Sequence, residues 1–460
     1  MTLICQILEF GTKKAEVRRR KLGSPLHILY LAPCILLLVI SANAQEQPVR
    51  LIHADSLIGY TINGDNFREL IGHVTMQHEN TILDCDRAVQ NLTQDVVDLY
   101  GNVNVKDDTL TFITKQAHYF GKTKTVASDS PVYLNDRHRT LTADRGTYNT
   151  DSKMAQFFGN VFVRDSSSQL NAEQLVYYRN EKKTIADVGV KIKSLENNVT
   201  VYGFHFEDYD KKNYSLMTGK PLLVQIDTSS DGKIDTLLIT SRMMEAYRDS
   251  AKERFIADDS VKIVRDSLSA RCGHGTYYSK DSIVVLQKNP VVWYGDNQLT
   301  GDSIAVYMRN KKIDHVDVVG SAFAVSQSDS AYPYRFNQIK GKMLTMFISD
   351  RKVERIIVEN NATSLYYLYD KNKPNGLNKV SGDRVVMYFK NGKIEKIAVI
   401  SGVEGDYYPE KMVKNEVSTF NLAGFVYYQT RPMKSEFPFP AEKILPDKKV
   451  QSKAAQVGKS

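Results

Sequence analysis

The sequence predicts an all-β protein built as a stack of about eleven repeated units. Three observations support this fold class. A short motif recurs along the chain, and its first steps are 31, 29, 29 and 29 residues long. Inside each copy, apolar residues alternate with polar ones at a period of two, as in strands with one buried face. After residue 45 the chain has no long stretch with the 3.6-residue period of a helix.

Each unit begins with an apolar segment that runs into a small residue, an anchor position and an aromatic residue. The clearest copy is Thr142–Tyr148, followed by the alternating segment Phe157–Val163. The anchor recurs at or near Asp55, Asp86, Lys115, Asp144, Glu173, Phe206, Arg242, Arg271, Asp302, Gly341 and Asp383. A repeat of this length is typical of stacked architectures in which each unit buries its apolar face against its neighbours.

The second half of each unit predicts a strand that turns a corner. Gly101-Asn102 and Gly159-Asn160 interrupt the alternation, and Gly and Asn tolerate positive φ. If each unit adds one strand to each of two facing sheets, eleven units give a rod of roughly 50 Å, and more strands per unit give a longer one.

The termini differ from this body. Arg18–Lys21, the apolar run Leu26–Ile40 and the small residues before Gln45 predict a signal peptide that is cleaved after Ala44; retention as a membrane anchor is the alternative. We predict a first β-domain at 45–226, a second, more divergent one at 227–408, terminal strands at 409–430 and a disordered basic tail at 431–460.

The formal net charge of +8 comes from the termini. Residues 1–44 carry six basic and two acidic groups, and residues 431–460 carry seven and three. The body is therefore close to neutral, which argues against nucleic acid as a partner. Cys85 and Cys272 are the two cysteines beyond the predicted signal, so we predict buried thiols without a disulfide framework.

No catalytic constellation is found, and we predict that the protein is not an enzyme, with no cofactor and no metal site. Nucleophile elbow, phosphate loop and zinc-protease motifs do not occur in the sequence. The repeated aspartates suggest either a ladder of carboxylates or, more simply, residues that cap strand corners by hydrogen bonding to backbone amides.

Apolar residues of the inner faces are the remaining candidates for a binding site. Two facing sheets that stay apart would form an apolar trough with polar rims, suited to acyl chains, whereas sheets that close would form a dry core. The candidate trough residues are Val103, Val105, Phe157, Val161, Val163, Val190, Ile192, Val261, Ile263 and Trp293. The sequence leaves both alternatives open.

The motif Leu141–Tyr148 with Phe158–Val163, repeated at Leu83–Ala88 with Tyr100–Val103 and at Leu170–Glu173, resembles the OstA-like family. That family includes the periplasmic bridge protein of lipopolysaccharide transport and the N-terminal domain of the outer-membrane translocon. The resemblance implies a half-open β-jellyroll of two antiparallel sheets with edge strands at both ends. It also implies acyl-chain binding in the crease and end-to-end pairing with other OstA-like jellyrolls of the transport bridge and the translocon.

The function expected from this resemblance is lipopolysaccharide binding and transport in the periplasm, in a bridge that leads to the outer membrane. The alternative is a secreted structural β-solenoid or adhesin with a dry core. A β-helical polysaccharide lyase or hydrolase is a third reading, for which no converging set of carboxylates can be assembled from the sequence.

Overall fold

A computed structural model describes residues 50–437, apart from 79–80, 108–109, 197, 229–233, 250–252, 267, 310–311, 351, 371–372 and 391–392. The predicted signal peptide with its cleavage after Ala44 lies outside the described residues, as do residues 438–460 of the predicted disordered tail. Residues 431–437 of that tail are ordered, because Pro432 and Glu436 accept hydrogen bonds from side chains of the β-strands and Phe437 is buried. Within the described part, no helix is long and apolar enough to cross a membrane.

The all-β prediction is confirmed, since the described residues form thirty strands that pair antiparallel. They are β1 Arg50–His53, β2 Ser56–Ile62, β3 Asp65–His78, β4 Thr81–Asn91, β5 Val96–Asp107, β6 Leu110–Phe120, β7 Thr125–Ser128, β8 Val132–Asn135, β9 Thr140–Ala143, β10 Arg145–Asn149, β11 Met154–Arg164, β12 Ser168–Tyr178, β13 Lys183–Ser194, β14 Val199–Tyr209, β15 Tyr214–Thr218, β16 Leu222–Thr228, β17 Ile234–Thr240, β18 Met243–Tyr247, β19 Arg254–Arg265, β20 Leu268–Tyr278, β21 Ile283–Gln287, β22 Val291–Tyr294, β23 Asn297–Thr300, β24 Ser303–Arg309, β25 Lys312–Gln327, β26 Phe336–Ser349, β27 Lys352–Asp370, β28 Lys373–Lys390, β29 Lys393–Ile400 and β30 Glu404–Pro409. A single α-helical turn, α1, spans Glu410–Val413, and short 3-10 turns lie at Gly121–Thr123, Asp210–Lys212, Val417–Phe420 and Lys434–Glu436.

Most long strands bend at their middle and so belong to two sheets. The first half of β19 pairs with β18 and its second half pairs with β17; between Asp258 and Val261 the register shifts. We call the sheet that contains β2, β18 and β29 sheet 1, and the sheet that contains β1, β17 and β30 sheet 2. The two sheets therefore share a line of corners, and their inner faces pack against each other as an extended jellyroll.

Pairs of residues in the left-handed region form the corners. Gly101 and Asn102 have φ of 71° and 45°, and Gly159 and Asn160 have 76° and 45°. Further left-handed pairs lie at 72–73, 188–189, 219–220, 259–260, 288–289, 320–321, 360–361 and 401–402. The corner chemistry read from the Gly-Asn dipeptides is thus what bends the strands, because glycine and asparagine adopt this conformation at low cost.

The anchor positions lie on the neighbouring strands, opposite these left-handed corners. Asp144 separates β9 from β10, and its backbone N–H donates to the Gly159 carbonyl at 3.0 Å. At three degenerate copies, the strand pairing places the anchor one or two residues away from the predicted position. The chain turns there at Phe204, Gly273 and Lys342. Phe206, Arg271 and Gly341 were expected there, and the one- to two-residue errors reflect copies in which no aspartate marks the corner.

Each unit contributes two strand segments to each sheet. Between the anchors Asp55 and Asp86, β2 and the first half of β3 lie in sheet 1, while the second half of β3 and the first half of β4 lie in sheet 2. The simpler estimate of one strand per sheet was wrong, and eleven units at about 4.8 Å per strand give a stack of roughly 100 Å.

The inner faces form the core, which is not divided at the predicted boundary between residues 226 and 227. One apolar cluster contains buried residues from Val132 to Met387, and a second, N-terminal cluster contains residues from Leu70 to Ala117. The β16–β17 hairpin crosses the boundary with continuous antiparallel pairing.

Residues 409–430 do not form the terminal strands that were expected. Beyond β30 the chain enters α1 and then a 3-10 turn, and it continues as an irregular segment to Phe437. The aromatic residues of this segment gave a strand-like composition, but the segment is held by sheet 2 side chains such as Gln298 and Gln338 in place of a partner strand.

Cys85 and Cys272 are buried and free, which confirms the prediction of two thiols without a bridge. Burial raises the pKa of each thiol to about 11. Because the thiolate is the reactive species, we expect the folded protein to resist iodoacetamide at neutral pH. Mass spectrometry should show two rapidly alkylated thiols in the mature chain only after denaturation; rapid labelling of the folded chain would contradict this burial.

Candidate functional site

The two sheets are separated by a cavity where β16–β26 face each other. Its volume is about 520 Å³, within the range of about 300–1,000 Å³ that is typical of small-ligand pockets. Sheet 1 supplies Phe255, Ala257, Gly275, Thr276, Tyr277, Val284, Leu286, Val306, Met308, Ile313 and Ile348. Sheet 2 supplies Leu223, Leu237, Ile239, Val261, Ile263, Leu268, Ala270, Val292 and Tyr294.

The lining is apolar because alternate residues of neighbouring strands point inward from both sheets. In β19, Phe255 and Ala257 reach the cavity from sheet 1, and Val261 and Ile263 reach it from sheet 2. Burial raises the pKa of Tyr277 to about 12, so this residue contributes a neutral ring and hydroxyl at physiological pH. The interior therefore suits an uncharged, hydrocarbon-rich guest.

Charged residues surround the mouth of the cavity at the tips of the strands. Arg265 donates to Asp235 at 2.8 Å and to Asp227 at 3.1 Å, so its single positive charge offsets one of the two negative charges. Across the mouth, Arg309 lies 3.4 Å from Asp314. The mouth is thus polar and of mixed charge, whereas the interior is apolar.

The sequence-predicted trough residues fall into three groups. Val261 and Ile263 line the cavity. Val103, Phe157, Val161, Val163, Val190 and Ile192 are buried in the packed core, and Val105 is half-buried against the N-terminal cluster. The eight other aliphatic and aromatic positions predicted for the trough are therefore not among the residues that line this cavity, which lies between the later strands.

Trp293 was expected in the trough and lies on the opposite face of sheet 2. Its neighbour Val292 points into the cavity, while the indole packs beneath the Arg271 guanidinium, 5.6 Å from the ring centre. The same guanidinium stacks on Tyr428 at 4.4 Å. Val291, Val292 and Trp293 are all buried because both faces of β22 are covered, so alternation could not assign the inward side.

Most of the cavity was missed by sequence reasoning. Ile239, Phe255, Val284 and Met308 lie in divergent copies of the repeat, where the motif is hard to align. Their own period-two alternation was the available signal, and it was used only for the better-preserved copies.

The repeated aspartates serve the corners. The Asn102 side chain donates to Asp86 at 2.9 Å, and the Asn160 side chain donates to Asp144 at 2.8 Å. The corner interpretation is therefore the one the structure supports. The donors to these two carboxylates are asparagine side chains, whereas backbone amides were expected. Among the described residues, no group of three or more His, Cys, Asp and Glu side chains is placed to hold a metal ion.

Comparison with known families agrees with this architecture. Residues 46–201 match the model of the OstA-like protein family, and residues 140–312 match the model described as LptA/(LptD N-terminal domain) LPS transport protein. The OstA-like match covers residues 46–201, and the second match extends the similarity to residue 312. The family resemblance read from the repeated Asp and Gly-Asn motifs is thereby confirmed.

Among solved structures, this OstA-like chain is similar to LptH, described as the LptA homologous periplasmic component of the conserved lipopolysaccharide transport device from Pseudomonas aeruginosa. The identity is 14%, the match covers 31% of this chain and 95% of that one, and the TM-score is 0.24. A search of curated proteins found no match.

Proposed function

We propose that this OstA-like protein binds lipopolysaccharide in the periplasm and shields its acyl chains in the cavity between the two sheets. The observation that carries the proposal is an apolar cavity, open at a charged mouth, inside a repeat whose family model is described as an LPS transport protein. The protein then works by binding and passing on its lipid, without chemical change, as part of a bridge that leads to the outer membrane.

The chemistry of the cavity supports an amphipathic lipid. Burial of hydrocarbon against the apolar lining is favourable by roughly 25 cal/mol per Å² of surface removed from water. A polar headgroup remains at the mouth, where Arg309 and Lys312 offer positive charge and Asp266 and Asp350 can face bridging cations or water. A cavity of about 520 Å³ shelters part of a multi-chain lipid, so the complete guest requires the sheets to part further.

The edge strands at the two ends of the sheets support the proposal that the partners have the same fold. Among the described strands, β1 and β2 pair with β3 alone at the N-terminal end, and β29 and β30 pair with β28 alone at the other end. Leu51, Ile52, Leu57, Ile58 and Ile62 are exposed along the N-terminal edge. Unpaired strands with apolar side chains favour pairing with another jellyroll edge, and the proposed partners are other OstA-like components of the bridge and the translocon.

Adjacent residues of β19 provide a matched test. A photo-crosslinking phenylalanine analogue at Phe255 faces the cavity, whereas the same analogue at Ile256 faces away from it. In cells that make lipopolysaccharide, we expect irradiation to attach lipopolysaccharide at position 255 and at least tenfold less at position 256. Immunoblotting of the purified chain with an antibody against lipopolysaccharide measures the ratio.

Equal labelling at both positions, or none at position 255, would contradict the proposal. A dry structural solenoid or adhesin gives no label at either position, and its depletion leaves lipopolysaccharide export unchanged. The packed N-terminal core is the observation in favour of that second function.

A further inference from the structure

The C-terminal segment runs back across the outer face of sheet 2. We call residues 417–437 the strap. It contacts β26 at Leu422, β23 at Tyr428, β20 at Pro432 and β19 at Glu436, so it crosses the strands in the reverse of their chain order. The outer face of these strands is therefore covered, unlike the outer face of a typical sheet with one solvated side.

Two buried glutamines bind the strap through both ends of their amide groups. The Gln298 side chain donates to the Val426 carbonyl at 2.9 Å and accepts from the Tyr428 N–H at 2.8 Å. The Gln338 side chain donates to Asn421 at 2.6 Å and accepts from the Leu422 N–H at 2.9 Å. Because each glutamine is 1% exposed, loss of the strap would leave buried amides without these partners.

Charged contacts hold the two ends. Before the strap, the nearly buried guanidinium of Arg335 donates to both carboxylate oxygens of Glu410 at 2.7 and 3.1 Å. At its far end, the Lys262 ammonium donates to Glu436 at 2.7 Å. Hydrogen bonds from Lys262 and from the Met433 N–H lower the pKa of Glu436, so the carboxylate is ionised at neutral pH.

Phe437 is the last residue that the structure describes, and the outer face of sheet 2 changes from apolar to polar next to it. Phe437 is buried with Leu222, Val224, Leu238 and Val264 in an apolar cluster separate from the main core. The next residues in this cross-strand row are Thr200 and Lys193, which continue toward the N-terminal part of sheet 2. Along this row the outer face is thus apolar at Phe437 and hydrophilic at Thr200 and Lys193.

The cavity and the Phe437 cluster lie on opposite sides of the same strands. In β16, Leu223 lines the cavity while Leu222 and Val224 contact the Phe437 cluster. In β17, Leu237 and Ile239 line the cavity and Leu238 belongs to the outer cluster. One sheet therefore separates the strap from the candidate lipid site. A shift of these strands would change both the cavity lining and the contacts with the strap.

We propose that the strap braces the sheet 2 wall of the cavity and thereby couples strap docking to acyl-chain binding. This inference rests on the proposed function, because the coupled ligand is the guest of the same cavity. When the strap holds the outer side of the wall, the wall is already ordered before the guest enters. Less of the binding free energy is then lost to the conformational entropy of ordering the site. By linkage, a bound guest favours the docked strap by the same factor.

The test uses the chain from residue 45 onward, without the predicted signal peptide, and a spin-labelled stearic acid as the probe. Phe437→Ala and Gln298→Met should each weaken probe binding about fivefold, the lower end of typical coupling. Met433→Ala is the matched control on the strap, since its side chain is 57% exposed, and it should bind like the parent. In the parent, saturating probe should slow hydrogen exchange at the Leu422 and Tyr428 amides about fivefold.

Two outcomes overturn different statements. If the parent binds the probe and neither variant changes the affinity, the coupling is wrong and the proposed function stands. If the parent does not bind the probe, lipid binding and the coupling both fail. Bracing itself is measured without lipid: Phe437→Ala should speed hydrogen exchange in β17 and the second half of β19, and unchanged exchange there would show that the strap is only a cover.

Discussion

Replacing Val161 with arginine is expected to destabilise β11 and its neighbours by about 4 kcal/mol or more, because it buries a charge without a partner. Val161 is fully buried in the main core, immediately after the Gly159-Asn160 corner. A guanidinium there has no carboxylate within the packed inner face and must either force the sheets apart or leave the core. Either response opens the unit to water.

Hydrogen exchange measures this effect better than a single global midpoint, since stacked repeats open locally. Amides of β11 and β12 should lose protection in Val161→Arg and retain it in Gln156→Arg, whose side chain projects from the opposite face of the same strand. Surface changes of this kind usually stay within about 0.5 kcal/mol of the parent. Equal protection in the two variants would mean that the inner face at this unit is open to water.

Replacing Ala270 with tryptophan is expected to weaken lipid binding at least tenfold with little loss of stability. Ala270 is fully buried and lines the cavity, so an indole at this position projects into space that the proposed guest would occupy. Binding of the spin-labelled stearic acid and of lipopolysaccharide, each by titration, measures the loss. Unchanged affinity would place the guest elsewhere.

The matched control is Ala322→Trp. Ala322 is also fully buried in the main core but does not line the cavity. Overpacking a closed core costs about 1–3 kcal/mol, so Ala322→Trp should melt lower than Ala270→Trp. Thermal unfolding of both variants distinguishes an indole that fills an existing cavity from one that overpacks a closed core. A lower melting temperature for Ala270→Trp than for Ala322→Trp would contradict the cavity.

Local sequence chemistry predicts the corners well because each corner depends on a few adjacent residues. Gly101-Asn102 and Gly159-Asn160 adopt left-handed φ, as their composition indicates, and Asp86 and Asp144 bind the asparagine side chains opposite. Where a copy of the repeat has no aspartate at the anchor position, the predicted corner is displaced by one or two residues. Phe206 was expected at a corner that the structure places at Phe204, because phenylalanine has no backbone preference that marks a corner.

The cavity could not be located from the same signals. Val161 and Val261 occupy equivalent positions after a corner, yet Val161 lies in closed core and Val261 lines the cavity. The difference comes from how far apart the two sheets stand at each unit, which depends on side chains contributed by many distant strands. Alternation assigns a residue to the inner face but carries no information on that separation.

By itself, the sequence determined that this chain is an all-β repeat and where most of its corners fall. These properties follow from backbone preferences and a two-residue period that act over a few neighbouring positions. Only the tertiary structure decided that the gap between the sheets lies at β16–β26, that Trp293 faces outward, and that the C-terminal segment is a strap. Those outcomes depend on contacts between residues far apart in the chain, such as the hydrogen bond from the Tyr428 N–H to Gln298 that holds the strap, which no local pattern encodes.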